Sequence, residues 1–246
     1  MEHSPVKSEE NLHGHSAWMG KFEKYLPEAV YGSIDGAVTT FAVVAGSAGA
    51  ELGINVVLIL GMANLFADGL SMSIGSYLSK RSEQDYYKKH LRIEQWEIEN
   101  LPEVERKEVE DIYRAKGFEG EELEMVVDRI TSNKQVWLET MMKDELGLSE
   151  EKKSPFRVAL STFISFVLVG SVPLVAYLLA NSGAIHADPF LFSSLVTLLA
   201  FVMIGYVKTY VTQSGWARSI FETIALGVAA ALVAYLLGDY LEKILT

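Results

Sequence analysis

The chain has 246 residues, of which half are apolar and 22% are charged, and its formal net charge is −11. It contains no Cys, which excludes disulfides and thiolate-bound metals. The acidic balance gives no basis for nucleic-acid binding. No nucleophile–base set, phosphate-binding loop or cofactor motif indicates an enzyme.

Apolar residues are concentrated at 28–79 and 156–238, whereas 80–153 is rich in charge. A helix needs about 20 apolar residues to cross a bilayer core. Windows of that length predict five membrane-spanning helices, at 28–50, 54–79, 156–180, 188–210 and 217–239. Only three residues separate the first two spans, which predicts a tight helical hairpin, and Pro173 predicts a kink in the third.

This pattern predicts an all-α membrane protein with five transmembrane helices and a cytoplasmic helical bundle inserted between the second and third. The predicted domains are a polar tail at 1–27, membrane helices 1 and 2 at 28–79, the bundle at 80–155 and membrane helices 3 to 5 at 156–246. The tail carries His3, His13 and His15, for which a disordered tail is the simpler explanation and metal capture the alternative.

The distribution of Lys and Arg predicts the orientation. Twenty of these 21 residues fall on one side of the predicted spans, with Lys243 alone opposite. The positive-inside rule therefore predicts a cytoplasmic N-terminus and bundle, and a C-terminus outside. The tail has no signal peptide. We expect a prokaryotic cell membrane, since the chain is short and lacks targeting extensions.

The first two spans carry polar side chains at helical spacing. Asn64, Asp68 and Met72 are each four residues apart, so they form one stripe on the second span. Asp35 lies well inside the first span, and Glu28, seven residues earlier, points almost the same way. A carboxylate at the centre of a bilayer costs about 2.5–3.5 kcal/mol or more.

Two interpretations of these membrane carboxylates stay open. They could make hydrogen bonds between packed helices, and this explanation has more weight for Asp68 than for Asp35. They could also line a cation pathway. Carboxylate oxygen together with the thioether of Met72 suits a divalent transition metal better than Mg²⁺ or Ca²⁺.

The charged region is predicted to form four helices. One continues out of the second span from Lys80 to about Asn100, and Pro102 starts another that ends before Gly117. A third covers about 120–131, and Asn133 caps a fourth that runs to about residue 146.

Within this bundle, pairs of acidic and sulfur-containing side chains recur on successive helices. Paired Glu residues on facing helices build carboxylate metal sites in helical bundles. For a single pair, a solvated Glu-rich face is the more common explanation. The candidate metal ligands are Glu94, Glu97, Glu105, Glu108, Met141, Met142 and Glu145.

The chain resembles the vacuolar iron transporter family. The matching segments are SIDGAVTTFAVVAG in the first span, DGLSMSIGSYLSKRSE in the second, KQVWLETMMKDELGL before the third, and the C-terminal ARSIFETIALGVAAALVAYLLG. The resemblance covers nearly all of the chain from about Pro27. It implies a homodimer that exports Fe²⁺, and often Mn²⁺, from the cytosol in exchange for protons.

The resemblance also implies roles for individual residues. It places Asp35 and Met72 on the translocation path, with Glu28 near its entrance, and the bundle's Glu and Met residues at the cytoplasmic metal site. One departure concerns Asn64, where many members have Glu, while Asp68 lies one turn later. The carboxylate has either moved by one turn, or the path is one charge weaker, since Asn cannot carry a proton.

These observations predict a divalent-metal transporter for Fe²⁺, with Mn²⁺ possible, whose partners are metal ions, protons, membrane lipid and a second copy of the chain. The metal is its substrate, and no cofactor is expected. One alternative is an exporter that prefers Mn²⁺. Another is a membrane-anchored metal sensor or buffer, against which an intramembrane Asp35 argues, because an anchor does not need it.

Overall fold

The computed structural model describes residues 24–184 and 187–245, and the N-terminal histidines lie outside them. Within these ranges every regular element is helical, and no β-strand occurs. The α-helices are α1 Leu26–Gly49, α2 Ile54–Asn100, α3 Pro102–Ala115, α4 Gly120–Thr131, α5 Lys134–Thr140, α6 Pro155–Gly170, α7 Val172–Asn181, α8 Pro189–Thr212 and α9 Trp216–Leu245. The predicted all-α class is confirmed.

The helix ends follow local chemistry. Proline stands in the first turn of α1, α3, α7 and α8, where its missing N–H costs nothing. Asn133 caps α5, since its side-chain oxygen accepts hydrogen bonds from the N–H groups of Gln135 and Val136. Asp188 caps α8 in the same way.

The last helix of the charged region differs from the prediction. The sequence predicts one α-helix to about residue 146, but α5 ends at Thr140 and a π-helical turn follows at Met141–Glu145. The N–H of Leu146 donates to the carbonyl of Met141, five residues earlier. This wider turn accompanies the complete burial of two consecutive large side chains, Met141 and Met142.

Four helices, α1, α2, α8 and α9, are long and apolar enough to cross a membrane. The pair α6 and α7 makes a fifth span if counted as one, with a bend of 43° between its halves. The bend falls at Ser171, two residues before Pro173, which has no N–H to continue the helical hydrogen bonds. The side chain of Ser193 on α8 donates a 2.7 Å hydrogen bond to the carbonyl of Pro173.

The chain divides into two compact units. The spanning unit contains the residues up to Tyr77 and those from Pro155 onwards. The inserted unit is Leu78–Ser154, and its core includes Ile98, Val109 and Trp137. Helix α2 contributes its first half to the spanning unit and its second half to the inserted unit.

Glycines set the packing of α1 against α6. A Cβ atom on Gly36 would collide with the backbone carbonyl of Phe166. A Cβ on Gly170 would lie 2.9 Å from the carbonyl oxygen of Gly36. The two helices therefore cross at backbone contact, which is the role of small residues in membrane helix packing.

Candidate metal centre and membrane carboxylates

A short reversal of the chain brings two glutamates of the inserted unit together. Helix α2 ends at Asn100 and α3 begins at Pro102, so Leu101 alone connects them. Its N–H donates to the carbonyl of Glu97, which closes the end of α2. Glu94 and Glu105 then face each other across this hairpin.

The third member of the cluster comes from the π-helical turn. One carboxylate oxygen of each of Glu94, Glu105 and Glu145 lies within 4.8 Å of the others. In the part of the chain that the structure describes, these residues form the one group of three acidic or His side chains with the spacing of metal ligands.

Two of the three carboxylates are inside the protein. Glu94 and Glu105 are each 4% exposed, whereas Glu145 is exposed. The Oε2 atoms of Glu94 and Glu105 are buried, and neither forms a hydrogen bond with the described residues. A buried carboxylate oxygen without a partner is costly unless a proton or a cation compensates it.

The electrostatics of the cluster reflect this shortage of partners. Burial raises the pKa of Glu94 to about 7, and the nearby charges of Glu145, Glu97 and Glu108 add to the effect. The pKa of Glu105 is also raised to about 7, first by burial and then by Glu108 and Glu94. Burial, Glu108 and Glu97 raise the pKa of Glu145. The five glutamates therefore lie in one mutually repulsive field.

The two methionines occupy different surroundings. Met141 is fully buried and packs in the core of the inserted unit, beside Val127 and Trp137. Met142 is 1% exposed and lies outside that core cluster. Packing in the core is enough to explain a Met at position 141. Its sulfur is therefore a weaker candidate for a metal ligand than the three carboxylates.

The sequence predicted all five glutamates as candidate ligands but did not separate the buried Glu94 and Glu105 from the half-buried Glu97 and Glu108. The signal was available in the apolar periodicity. Glu94 lies one turn before Ile98, and Glu105 lies one turn before Val109, and both of these apolar residues are buried. A glutamate in the apolar stripe of an amphipathic helix is the one that packing turns inward.

The membrane carboxylates of the spanning unit lie on two helices that both pack against Phe166. Gly36 contacts the backbone of Phe166, and Gly69 lies 3.1 Å, measured from an added Cβ, from the ring of the same residue. Their sequence neighbours, Asp35 and Asp68, lie close enough for their charges to interact. Both aspartates are half-buried.

The remaining predicted pathway residues are distributed along the same two helices. Glu28 is half-buried in the first turn of α1, about 10 Å along the axis from Asp35. Asn64 and Met72 flank Asp68 by one turn on either side, about 6 Å each along α2. All three positions on α2 are half-buried, and Met72 also packs against the core that contains Leu65.

Comparison with known proteins identifies the family. The family model described as VIT family matches residues 26–239. Vacuolar iron transporter 1 of Arabidopsis thaliana is 38% identical over 219 residues, which cover 87% of this chain and 85% of that protein. Vacuolar iron transporter 1 of Tulipa gesneriana is 34% identical, covering 98% and 97%. The vacuolar iron transporter of Plasmodium falciparum is 33% identical, covering 89% and 82%. The chain belongs to the VIT family.

Proposed function

We propose that the chain transports Fe²⁺, and to a lesser extent Mn²⁺, out of the cytosol in exchange for protons. The observation that carries this proposal is the group formed by Glu94, Glu105 and Glu145, with two buried carboxylate oxygens that lack hydrogen-bond partners. The names of the related proteins, all vacuolar iron transporters, support iron as the substrate.

The inserted unit is proposed to collect the ion on the cytoplasmic side. A divalent cation between the clustered carboxylates would replace their mutual repulsion by attraction and would compensate the buried oxygens of Glu94 and Glu105. Oxygen ligands alone also accept Mg²⁺. Discrimination against Mg²⁺ would then come from a soft ligand, for which Met142 is the candidate because it lies outside the core cluster that holds Met141.

The spanning unit is proposed to pass the ion across the membrane. The ion would enter by Glu28 and reach Asp35 and Met72. Asp68 lies within the electrostatic reach of Asp35. Two carboxylates whose charges interact can share either a divalent cation or protons, so protonation from the far side would release the metal. Asp68 would then supply the charge that Asn64 lacks.

A second copy of the chain is proposed to complete the path. The half-buried stripe of α2 lies beside a face that carries large exposed apolar side chains, including Phe66 and Leu70, which are 45% and 51% exposed. In a homodimer that packs through this face of α2, these side chains would be covered and Asp68 would be enclosed. Twenty of the 21 Lys and Arg residues lie on the same side of the predicted spans as the inserted unit, which supports an orientation with that unit in the cytoplasm.

Metal binding by the full-length protein tests the role of the inserted unit. Calorimetry should show Fe²⁺ and Mn²⁺ binding with much weaker Mg²⁺ binding. Replacing the four central glutamates by Gln should remove most of it (Glu94, Glu97, Glu105 and Glu108). The matched control replaces four exposed glutamates around the start of α4 and should bind as the wild type does (Glu119, Glu121, Glu122 and Glu124). Equal binding by both variants would contradict the assignment.

Transport separates this function from that of a membrane-anchored sensor or buffer. Vesicles that contain the protein and a metal-sensitive dye should accumulate Fe²⁺ faster than protein-free vesicles, and a pH gradient should accelerate uptake. A sensor would bind the metal without uptake. An exporter that prefers Mn²⁺ would show the same gradient dependence with the order of the two metals reversed.

A further inference from the structure

Positive side chains cluster on the outer face of α2 in the inserted unit. Lys88, Lys89 and Arg92 are exposed and, together with Asp85 and Ile93, line a shallow surface depression of about 440 Å³. Because the buried side chains of this half of α2 lie on its other face, the three cations take no part in packing the bundle.

The charge of this cluster is balanced only at its edge, where Lys88 lines a second depression together with Glu150 and Glu151. Residues 80–153 contain 20 Asp and Glu against 14 Lys and Arg, so the cluster runs against the sign of its own unit. The two cations that precede it on α2 are each paired with an acidic side chain one helical turn away. The carboxylate of Asp85 is taken up by one of these pairs, with Arg81 at 3.1 Å. Among the described residues, none forms an ion pair or hydrogen bond with the side chain of Lys88, Lys89 or Arg92.

The spacing of the three cations makes them mutually repulsive. Lys88 and Arg92 are four residues apart, and Lys89 and Arg92 are three apart, which are the separations at which helical side chains are neighbours. Like charges at these separations destabilise a helix. Contact with solvent alone gives no reason to place three like charges at this spacing. A bound anion would attract all three and offset their mutual repulsion.

We propose that Lys88, Lys89 and Arg92 bind an anion that carries phosphate groups with at least two negative charges. The guanidinium group of Arg92 offers a planar pair of donors that matches two phosphate oxygens, and the two lysines act as point charges. Neighbouring side chains at this spacing start about 5–6 Å apart, so all three can reach the oxygens of one phosphate or pyrophosphate group. The site is separate from the cation site and does not rest on the proposed transport.

Phosphate groups could come from a soluble solute or from lipid headgroups. The second predicted span ends at residue 79, and Lys88 follows nine residues later on the same helix, about 14 Å along its axis. This exceeds the Debye length of about 8 Å at physiological ionic strength. The spacing therefore favours a soluble phosphate-bearing solute, and the chemistry of recognition is the same for both sources.

Calorimetric titration of the full-length protein in detergent with inorganic pyrophosphate, without divalent metal, tests the site. The wild type should bind pyrophosphate, and higher salt should weaken binding. Lys88→Gln/Arg92→Gln should weaken it at least about tenfold. The matched control, Lys107→Gln/Arg129→Gln, removes two exposed cations from α3 and α4 and should leave it unchanged. An equal loss in both variants, or no binding by the wild type, would overturn the proposal.

Two further measurements distinguish the source of the phosphate and the rival use of the surface. The affinity for pyrophosphate is compared between nanodiscs of anionic and of neutral lipid. If the ligand is a soluble solute, the two affinities should be equal. If lipid headgroups occupy the cluster, anionic lipid should lower the affinity by competition. Either result supports a phosphate site. If Lys88→Gln/Arg92→Gln instead changes the oligomeric size while pyrophosphate binds to neither protein, the cluster is a protein contact and the proposal is wrong.

Discussion

Glu94→Gln should stabilise the metal-free protein at alkaline pH. The carboxyl of Glu94 is 4% exposed, and its pKa is raised from an ordinary 4.5 to about 7. The folded state therefore holds the proton more tightly than the unfolded state. The stability due to this group is complete below pH 4.5 and is lost as the pH rises through 7.

The size of the effect follows from the pKa difference. A pKa of about 7 against 4.5 corresponds to about 3 kcal/mol of unfolding free energy, lost between acidic and alkaline pH. Gln has nearly the same shape but no charge, so Glu94→Gln should recover up to about 3 kcal/mol at pH 8 and flatten the pH dependence. Glu105→Gln should act in the same direction, because burial also raises the pKa of Glu105 to about 7.

Chemical denaturation of the full-length protein in detergent, with chelator present, measures this change. Tryptophan fluorescence reports on the inserted unit through Trp96 and Trp137. Glu124→Gln removes an exposed glutamate from α4 and should leave the pH dependence of the wild type in place. Adding Fe²⁺ or Mn²⁺ should raise the stability of the wild type at pH 8 and should have little effect on the stability of Glu94→Gln. A Glu94→Gln protein that is less stable than the wild type at pH 8 without metal would refute the reasoning.

Three further substitutions test the spanning unit. Gly36→Ala should destabilise the protein by about 1–3 kcal/mol, because the added Cβ meets the backbone of Phe166. The control Gly75→Ala should not destabilise it, since nothing lies within 4 Å of a Cβ at that position. Equal thermal unfolding of the two variants would contradict the packing described. Asp68→Asn should remove the dependence of vesicle uptake on the pH gradient, and an unchanged dependence would show that Asp68 only packs. Met72→Leu should lower the rate of Fe²⁺ uptake at unchanged thermal stability, since it keeps the volume but removes the sulfur, and an unchanged rate would exclude Met72 as a ligand.

The helical architecture could be predicted because two strong signals coincide. Long apolar windows mark the membrane helices, and prolines and caps such as Pro102 and Asn133 mark the helix starts of the inserted unit. The π-helical turn at Met141–Glu145 could not be predicted. Its cause is the tertiary packing of two adjacent methionines, and periodicity assumes the α-helical spacing throughout.

The candidate sites could be predicted in composition but not in geometry. Spacing placed Glu94 and Glu105 on consecutive helices, yet only the fold shows that these two are buried and that Glu145 joins them. Likewise, spacing indicated Asp35 and Asp68 separately. Their proximity depends on the common contact of Gly36 and Gly69 with Phe166, which is a long-range packing relation that no local pattern encodes.

Fe²⁺ uptake by vesicles that contain Asp35→Asn tests the central claim most directly. Asn is nearly isosteric with Asp but neither balances a divalent charge nor carries a proton. The matched control is Asp188→Asn, because Asn keeps the side-chain oxygen that caps α8. With equal amounts of inserted protein and a pH gradient across the vesicle membrane, Fe²⁺ uptake should collapse in Asp35→Asn and persist in Asp188→Asn. Uptake by Asp35→Asn at the wild-type rate would contradict a metal pathway through the membrane carboxylates.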